Sequence, residues 1–143
     1  MNPPPESEIG KYYNTGDYIS HSDTKKGLIN FLFHFVRSLM LFRKRNIVRK
    51  ATGLKSGTLL DIGCGTGYFP AFMKKHEWNV TGMEVNEIAR EYAKEKFNLD
   101  IYTEDQLAQS KKGQFDCITL WHVLEHFYDP QKYLSRINSL LKN

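Results

Sequence analysis

The sequence predicts an α/β domain built on a doubly wound, mostly parallel sheet with an N-terminal helical extension. From Gly57 onward, short apolar runs alternate with longer stretches in which apolar residues recur at three- and four-residue steps. The first run, Thr58–Ile62, leads into a loop with three glycines and then a helix. Before the alternation begins, Lys25–Thr52 has the period of one long helix. Strands separated by helices pair in parallel through right-handed crossovers, so about four parallel strands are expected.

The elements of the sheet follow in a regular order along the chain. Helices are predicted from the glycine loop to about Lys75, from a cap at Asn86, and from a cap at Asp129 followed by Pro130. The last helix is expected to carry Tyr133, Leu134, Ile137, Leu140 and Leu141 on one face. The predicted strands are Thr58–Ile62, Asn79–Val85, Asp100–Thr103 and Phe115–Trp121.

Composition places the chain among ordinary globular proteins. Its 143 residues are 41% hydrophobic and 25% charged, which suits one domain with a core of its own. Cys64 and Cys117 are far apart and neither belongs to a CxxC pair, so neither a zinc site nor a disulfide framework is predicted. A reducing, cytoplasmic setting is the corresponding expectation. Residues 28–42 are the most apolar stretch, but polar residues interrupt it and no membrane span is predicted.

The chain is mildly basic, with a net charge of +4, and much of the basic excess lies between Lys25 and Lys55. We interpret these charges as the solvated face of the long helix. Contact with acidic ligands or membrane headgroups is the alternative interpretation. The apolar side chains of the same helix are spread over an unusually broad face, so the helix is expected to need cover on more than one side.

The glycine loop is the strongest functional signal. Glycines at 63, 65 and 67 follow a buried strand and precede a helix, so a ligand can approach the backbone and the unpaired N–H groups of the helix start. Dinucleotide-binding enzymes use the spacing GxGxxG to hold a pyrophosphate. Here the spacing is GxGxG, and the bulky Tyr68 and Phe69 follow it. These two aromatic residues argue against a pyrophosphate at the helix end.

Glu84 is the second signal. It lies at the end of the second predicted strand, seventeen residues after Gly67, with Val85 beside it. A carboxylate at this place can accept hydrogen bonds from both hydroxyls of a ribose, which fits a nucleoside without a 2′-phosphate.

Two blocks of this sequence resemble class I S-adenosylmethionine-dependent methyltransferases. Leu59–Phe69 is similar to motif I of that family. The family's block at the fourth strand resembles three segments of this chain: Phe115-Asp116, the turn Val123-Leu124-Glu125-His126, and Asp129-Pro130. This combination is common among relatives of the ubiquinone-biosynthesis O-methyltransferases. The resemblance covers Gly57–Leu141. It implies a Rossmann-like sheet of seven strands, of which four are present, so the chain is expected to be a truncated domain.

The resemblance also implies a cofactor, S-adenosyl-L-methionine, and its contacts. Asp61 would orient the glycine loop and the cofactor's ammonium group. Glu84 would bind the ribose, and either Glu104 or Asp105 would lie beside the adenine. Trp121 and His122 would border the sulfonium. The full set of expected contacts is Asp61, Gly63, Cys64, Gly65, Gly67, Glu84, Val85, Glu104, Asp105, Trp121 and His122.

Three interpretations remain open for His122, Glu125 and His126. On one helical turn they would share a side and could bind a divalent metal, as the ExxEH sequence of some relatives does. The first acid of that pattern is replaced by His122, so no metal is predicted. One of the two histidines, His126 or His122, could instead take a proton from an acceptor hydroxyl. The third interpretation is that Glu125 and His126 hydrogen-bond within the turn and shape it.

The expected function is methyl transfer to a small-molecule acceptor, at oxygen or carbon. The NPPY-type tetrapeptide of amine-methylating relatives is absent after the fourth strand, so no nucleic-acid partner is expected. A nicotinamide-dependent oxidoreductase and a non-catalytic module that binds S-adenosylmethionine are the alternatives. The broad apolar helix has two interpretations: it indicates a hydrophobic or lipid-linked acceptor, or its apolar surface results from the truncation of the domain.

Two further expectations concern organisation. Residues 1–54 would form a lid or acceptor side and residues 55–143 the cofactor-binding domain. Tyrosines and a histidine in the first part would cover the cofactor or else pack on the sheet edge: Tyr12, Tyr13, Tyr18 and His21. The edge of the fourth strand, Phe115–Trp121, is expected to be exposed and to support a homodimer.

Overall fold

A computed structural model gives the structure of the chain and describes residues 28–142, with side chains from residue 31 onward. The expected lid residues Tyr12, Tyr13, Tyr18 and His21 and the expected helix start at Lys25 lie outside the described residues. The helices are α1 Leu28–Thr52, α2 Tyr68–Lys74, α3 Glu87–Phe97, α4 Glu104–Ala108 and α5 Pro130–Asn138, with a short 3₁₀ helix at Leu124–His126. The strands are β1 Thr58–Ile62, β2 Asn79–Met83, β3 Asp100–Tyr102 and β4 Cys117–Leu120.

The four strands form one parallel sheet in the order β3-β2-β1-β4. The predicted fold class is therefore confirmed. The chain adds β2 and β3 on one side of β1 and then crosses to place β4 on the other side. The carboxyl ends of β1 and β4 consequently flank a topological switch point, which is where open α/β sheets bind their ligands.

The alternation of side chains along β1 divides the core into two layers. Leu59 and Leu60 are both fully buried, but they point to opposite faces of the sheet. Leu59 packs in a cluster with Val48 of α1 and with Met73 and Trp78. Leu60 packs in the other cluster, which includes Ile137 of α5. Asp61 lies two residues after Leu59 and thus faces the α1 side of the sheet.

Side-chain caps fix the starts of three helices. The predicted caps are confirmed: Asn86 accepts a hydrogen bond from the backbone N–H of Ala89 at 3.0 Å, and Asp129 accepts one from Lys132 at 3.0 Å. Thr103 caps the short helix α4 in a capping box with Gln106. Helix α4 was not among the predicted helices.

Asp116 joins the beginnings of β1 and β4. Its Oδ2 accepts a hydrogen bond from the Thr58 backbone N–H at 2.7 Å and lies 2.7 Å from the Thr58 hydroxyl and 2.9 Å from Lys142 Nζ. Hydrogen bonds from Thr58 lower the pKa of Asp116 to about 2, and Lys142 contributes in the same direction. Asp116 therefore stays charged at neutral pH and holds the two strands in register.

The carboxyl-terminal elements differ from the prediction. β4 ends at Leu120, and α5 ends at Asn138, so Leu140 and Leu141 do not belong to its face. Leu140 is buried in the core, while Leu141 forms an isolated parallel bridge with Phe115. The expectation of an exposed edge was therefore wrong at Phe115, which is fully buried. Among the described residues, the outer edge of Cys117–Leu120 has no strand beside it.

None of the helices within residues 28–142 combines the length and the apolar character that crossing a membrane requires.

Candidate cofactor-binding site

A cavity of about 400 Å³ lies between α1 and the glycine loop, at the carboxyl end of β1. Three parts of the chain form its wall: one side of α1, the loop with the first turn of α2, and the residue after β4. The position agrees with the switch point of the sheet. The lining residues are Phe33, Arg37, Met40, Leu41, Lys44, Asp61, Gly63, Cys64, Gly65, Thr66, Tyr68, Phe69 and Trp121.

The loop needs its three glycines for its own conformation. Gly63, Gly65 and Gly67 have φ of 68°, 55° and 79°, in the left-handed region that favours glycine. A Cβ at Gly63 would lie 2.4 Å from a methyl group of Val123, and one at Gly67 would lie 2.8 Å from the Ala93 Cβ. Packing therefore leaves no room for a side chain at Gly63 or Gly67. Two of the three glycines, Gly63 and Gly65, also border the cavity.

Cys64 forms part of the cavity wall as a neutral thiol. Burial raises its pKa, and the nearby carboxylates Asp61 and Glu84 act in the same direction. Its sulfur packs closely over Gly82, since a Cβ at Gly82 would lie only 2.7 Å from it. The backbone N–H groups of Gly63 and Cys64 both donate to the Met83 carbonyl, at 2.7 and 3.0 Å, which anchors the loop on the end of β2.

Glu84 ties the glycine loop to the start of α3. It is 7% exposed. Its Oε2 accepts a hydrogen bond from the Gly65 backbone N–H at 2.8 Å, and its Oε1 accepts one from Asn86 at 2.9 Å. Because a carboxylate oxygen can accept two hydrogen bonds, each oxygen of Glu84 has the capacity for one more besides its bond from Gly65 or Asn86. The adjacent Val85 is exposed.

Asp61 is a buried carboxyl group of the site whose pKa is strongly raised. It is 3% exposed, and Oδ1 accepts a hydrogen bond from the Thr119 hydroxyl at 2.6 Å. Burial raises the pKa of Asp61 to about 7, and the charge of Glu84 contributes, although Thr119 and Lys44 act in the opposite direction. A buried carboxylate with this environment is stabilised by a cation placed beside it.

Two cations from α1 enter the site, and the sequence analysis did not identify them. The Lys44 ammonium lies 4.7 Å from the centre of the Trp121 ring and 5.5 Å from that of Phe69. Burial lowers the pKa of Lys44, while the charge of Asp61 raises it. The Arg37 guanidinium lies 4.1 Å from the Tyr68 ring centre. Arg37 and Lys44 are seven residues apart, which puts both side chains on one side of the helix. This spacing is visible in the sequence, although from the sequence alone we interpreted the basic residues of the helix as a solvated face.

Trp121 forms part of the same wall and carries a hydrogen-bond donor left unpaired by the described residues. Its ring meets Phe69 edge to face at a centroid distance of 5.7 Å. Its indole Nε1 is buried and has no hydrogen-bond partner among the described residues. A buried donor of this kind is costly unless a ligand or a water molecule accepts from it.

The histidine segment does not form the single helical turn required by the metal interpretation. His122 has φ of 59° and lies before the short 3₁₀ helix, so His122, Glu125 and His126 do not share one helix face. All three are exposed. Residues 28–142 contain no group of three or more His, Cys, Asp or Glu side chains that could hold a metal ion.

The structure places several predicted contacts away from the cavity wall. Glu104 and Asp105 are exposed in the first turn of α4, and His122 and His126 are exposed beyond the end of β4. The wall described above includes Trp121 but none of these four side chains. Their roles toward a ligand therefore stay predictions.

Comparison with known proteins identifies the family. The methyltransferase domain family matches residues 31–143. The ubiquinone biosynthesis O-methyltransferase of Pseudomonas paraeruginosa is 33% identical over 104 residues, 68% of this chain and 45% of that protein. A SAM-dependent methyltransferase from Aquifex aeolicus is 25% identical and superposes with a TM-score of 0.57, covering 68% of this chain and 58% of that one. A Pyrococcus horikoshii protein shares the fold at 18% identity, with a TM-score of 0.65, and covers 92% of this chain and 61% of that one.

Fold, glycine loop and these similarities together define a class I S-adenosylmethionine-dependent methyltransferase domain, as predicted. The chain belongs to the methyltransferase domain family. It spans 45% of the length of the Pseudomonas relative. S-adenosyl-L-methionine is the cofactor of this class, and the cavity fits its amino-acid end, because Asp61 suits an ammonium group and Lys44 suits a carboxylate.

Proposed function

We propose that this chain binds S-adenosyl-L-methionine in the cavity at the end of β1 and transfers its methyl group to the oxygen of a small-molecule acceptor. The observation that carries the proposal is the buried carboxylate of Asp61 facing a cavity between the glycine loop and the cations of α1. The 33% identity to an O-methyltransferase of Pseudomonas paraeruginosa supports oxygen as the acceptor atom. Transfer to carbon is the alternative.

The residues of the chain would hold the cofactor at both ends. Asp61 would accept hydrogen bonds from the ammonium group, while Lys44 would turn from Asp61 toward the carboxylate. Glu84 would accept from the ribose hydroxyls through the positions that Gly65 and Asn86 leave free. Glu104 or Asp105 would border the adenine, and Gly63, Cys64, Gly65, Gly67 and Val85 would line the path between them.

Little acid–base chemistry is needed from the protein. The bound cofactor supplies an electrophilic methyl group on its sulfonium, so alignment of the acceptor accounts for much of the rate. A histidine, His126 or His122, would take the proton from an acceptor hydroxyl. The aromatic rings of Phe69 and Trp121 would exclude water from the transfer path, and residues 1–54 would close over it as a lid.

The acceptor is proposed to be hydrophobic. Phe33, Met40 and Leu41 contribute apolar surface to the cavity wall from α1. Both cysteines are free thiols, which supports a reducing compartment such as the cytoplasm. A nicotinamide cofactor is disfavoured because Phe69 is buried in the core directly after the glycine loop and because the family found is one of methyltransferases.

Glu84→Ala should weaken the binding of S-adenosylhomocysteine, the demethylated product, by roughly tenfold or more, since hydrogen bonds to a charged group contribute about 1.5–3 kcal/mol each. Titration calorimetry measures the dissociation constant. Glu91→Ala, which removes an exposed acid from α3, is the matched control and should leave it unchanged. Equal affinities for wild type and Glu84→Ala would show that Glu84 only anchors the loop.

The chain is further proposed to form a homodimer through the outer edge of β4. This edge borders an open groove lined by Ile118, Leu120 and Leu134, and unpaired strand edges favour association. Light scattering over a range of concentrations should show a dimer, and Leu134→Glu should convert it to a monomer. Leu54→Glu is the control, because Leu54 has the same 39% exposure but lies in the loop after α1 and does not line this groove. A wild-type chain that stays monomeric at all concentrations would overturn the proposal.

Calorimetry with S-adenosylhomocysteine, followed by transfer of labelled methyl groups from S-adenosylmethionine to a panel of apolar acceptors that carry a hydroxyl group, tests the proposed function as a whole. Binding without transfer to any acceptor would favour the non-catalytic module.

A further inference from the structure

The outward face of α1 is not used by the site or by the core. Phe31, Phe35 and Leu39 lie four residues apart and are 71%, 58% and 58% exposed within the described part of the chain. Leu32 and Val36 continue the same surface. On a helix of 3.6 residues per turn this row points away from Arg37, Leu41 and Lys44, which line the cavity. We call Phe31, Leu32, Phe35, Val36 and Leu39 the outer stripe.

Basic residues continue the outer stripe toward the end of the helix. Arg49 and Lys50 lie 18 residues after Phe31 and Leu32, which is five helical turns, and thus on the same side. Arg43 lies between the two groups and is exposed. The face therefore has an apolar half at its beginning and a cationic half at its end.

The charge of the whole chain is concentrated in this helix. α1 contains six basic residues and no acidic one. The chain has 20 basic and 16 acidic residues, so the part outside α1 has 14 basic and 16 acidic residues. The net positive charge of the protein is therefore carried by α1, while the remainder is slightly acidic.

The apolar residues of the outer stripe and the basic residues beside it indicate which kind of partner can bind this face of α1. A second copy of α1 would bring its own Arg43, Arg49 and Lys50 to the same face, and repulsion between the two sets of charges opposes pairing. An anionic bilayer offers acyl chains to the apolar half and phosphates to the basic half, as for amphipathic helices that lie on membranes.

We propose that α1 docks the protein on the surface of an anionic membrane through the outer stripe, with Arg43, Arg49 and Lys50 at the level of the headgroups. The helix lies on the membrane and does not span it. The side of α1 that forms the cavity wall faces away from the bilayer, so the cofactor site is not blocked by docking.

Vesicle flotation tests the proposal with the unmodified chain. Vesicles of phosphatidylcholine with one third phosphatidylglycerol should carry the protein to the top of the gradient, and vesicles of phosphatidylcholine alone should carry little. Added salt should weaken the binding, because the cationic contribution is screened. No flotation with the anionic vesicles, or equal flotation with both kinds, would overturn the proposal.

Two variants separate the apolar and cationic contributions. The triple variant Phe31→Gln, Phe35→Gln, Leu39→Gln should lose binding at least tenfold. Arg43→Gln, Arg49→Gln, Lys50→Gln should lose roughly 30- to 100-fold on anionic vesicles. The matched control Lys111→Gln, Lys112→Gln, Lys132→Gln removes the same charge from exposed positions elsewhere and should bind as wild type does.

Thermal unfolding and circular dichroism show whether the variants keep their fold. Equal losses in the control and in the α1 charge variant would show that only net charge matters and would overturn a specific docking face. Light scattering without lipid gives the remaining outcome: a wild-type dimer that the Phe31, Phe35 and Leu39 substitutions dissociate would assign the stripe to a second copy instead.

Discussion

Gly65→Val should abolish binding of S-adenosylhomocysteine at every attainable concentration. Gly65 has φ of 55°, borders the cavity and donates its N–H to Glu84 at 2.8 Å. A β-branched side chain is strained in this backbone conformation and would extend from the loop into the space that the ligand needs. The substitution therefore acts on both the loop and the ligand, and titration calorimetry should show no heat of binding.

A substitution at a second glycine, Gly113, serves as the control, because it strains the backbone without filling the cavity. Gly113 also has a positive φ, of 65°, but a Cβ there would meet nothing closer than the Leu141 carbonyl at 4.0 Å, and Gly113 does not line the cavity. Gly113→Val should lower the free energy of unfolding by roughly 1–2 kcal/mol and leave the affinity unchanged. If Gly65→Val unfolds the domain, Gly65→Ala serves in its place. Wild-type affinity in the folded Gly65 variant would contradict the site.

Asp61 should make ligand binding dependent on pH in the neutral range. Its pKa is raised to about 7, mainly by burial, and only its ionised form can pair with the ligand's ammonium group. The affinity for S-adenosylhomocysteine should therefore rise by roughly 20-fold between about pH 5.5 and 7.5, a range in which most of the ligand's amino groups keep their proton. Asp61→Asn should bind weakly over the whole range and show little pH dependence.

The stability of the free protein should change in the opposite direction. A carboxyl group whose folded-state pKa lies above its ordinary value binds its proton more tightly when folded, so stability is fully present below about pH 4 and is lost as pH rises toward 7. Asp61→Asn should remove this decline. The charge of Lys44 lowers the pKa of Asp61. Lys44→Gln, which removes this cation, should therefore raise the pKa of Asp61 further and extend the decline in stability to higher pH.

The outcome that would contradict the role of Asp61 concerns affinity. If Asp61→Asn leaves the pH profile of affinity unaltered, another group is responsible for the pH dependence.

The sequence predicted the features that depend on local pattern. Parallel pairing of the strands follows from their alternation with helices. The caps at Asn86 and Asp129 were predictable because an N-cap needs only a side-chain oxygen and a free backbone N–H nearby. The glycine loop was predictable for the same reason, since its three left-handed positions favour one residue type.

The features that the sequence did not reveal depend on contacts between distant elements. Lys44 reaches the environment of Asp61 only because Val48 anchors α1 on the sheet. The bond from Gly65 to Glu84 joins residues nineteen positions apart. His122 turns the chain out of β4 with φ of 59°, a conformation that no pattern in the segment indicates, and this separates it from Glu125 and His126. The roles of the two histidines are therefore the least constrained part of the proposed site.

The most direct test of the central claim is a titration of the chain with S-adenosylhomocysteine near pH 7.5, repeated in the presence of excess NAD. The account predicts one binding site per chain, with a dissociation constant that NAD does not change and that Asp61→Asn and Glu84→Ala both raise. No heat of binding, or competition by NAD, would contradict the assignment of the cavity at the end of β1 to S-adenosylmethionine.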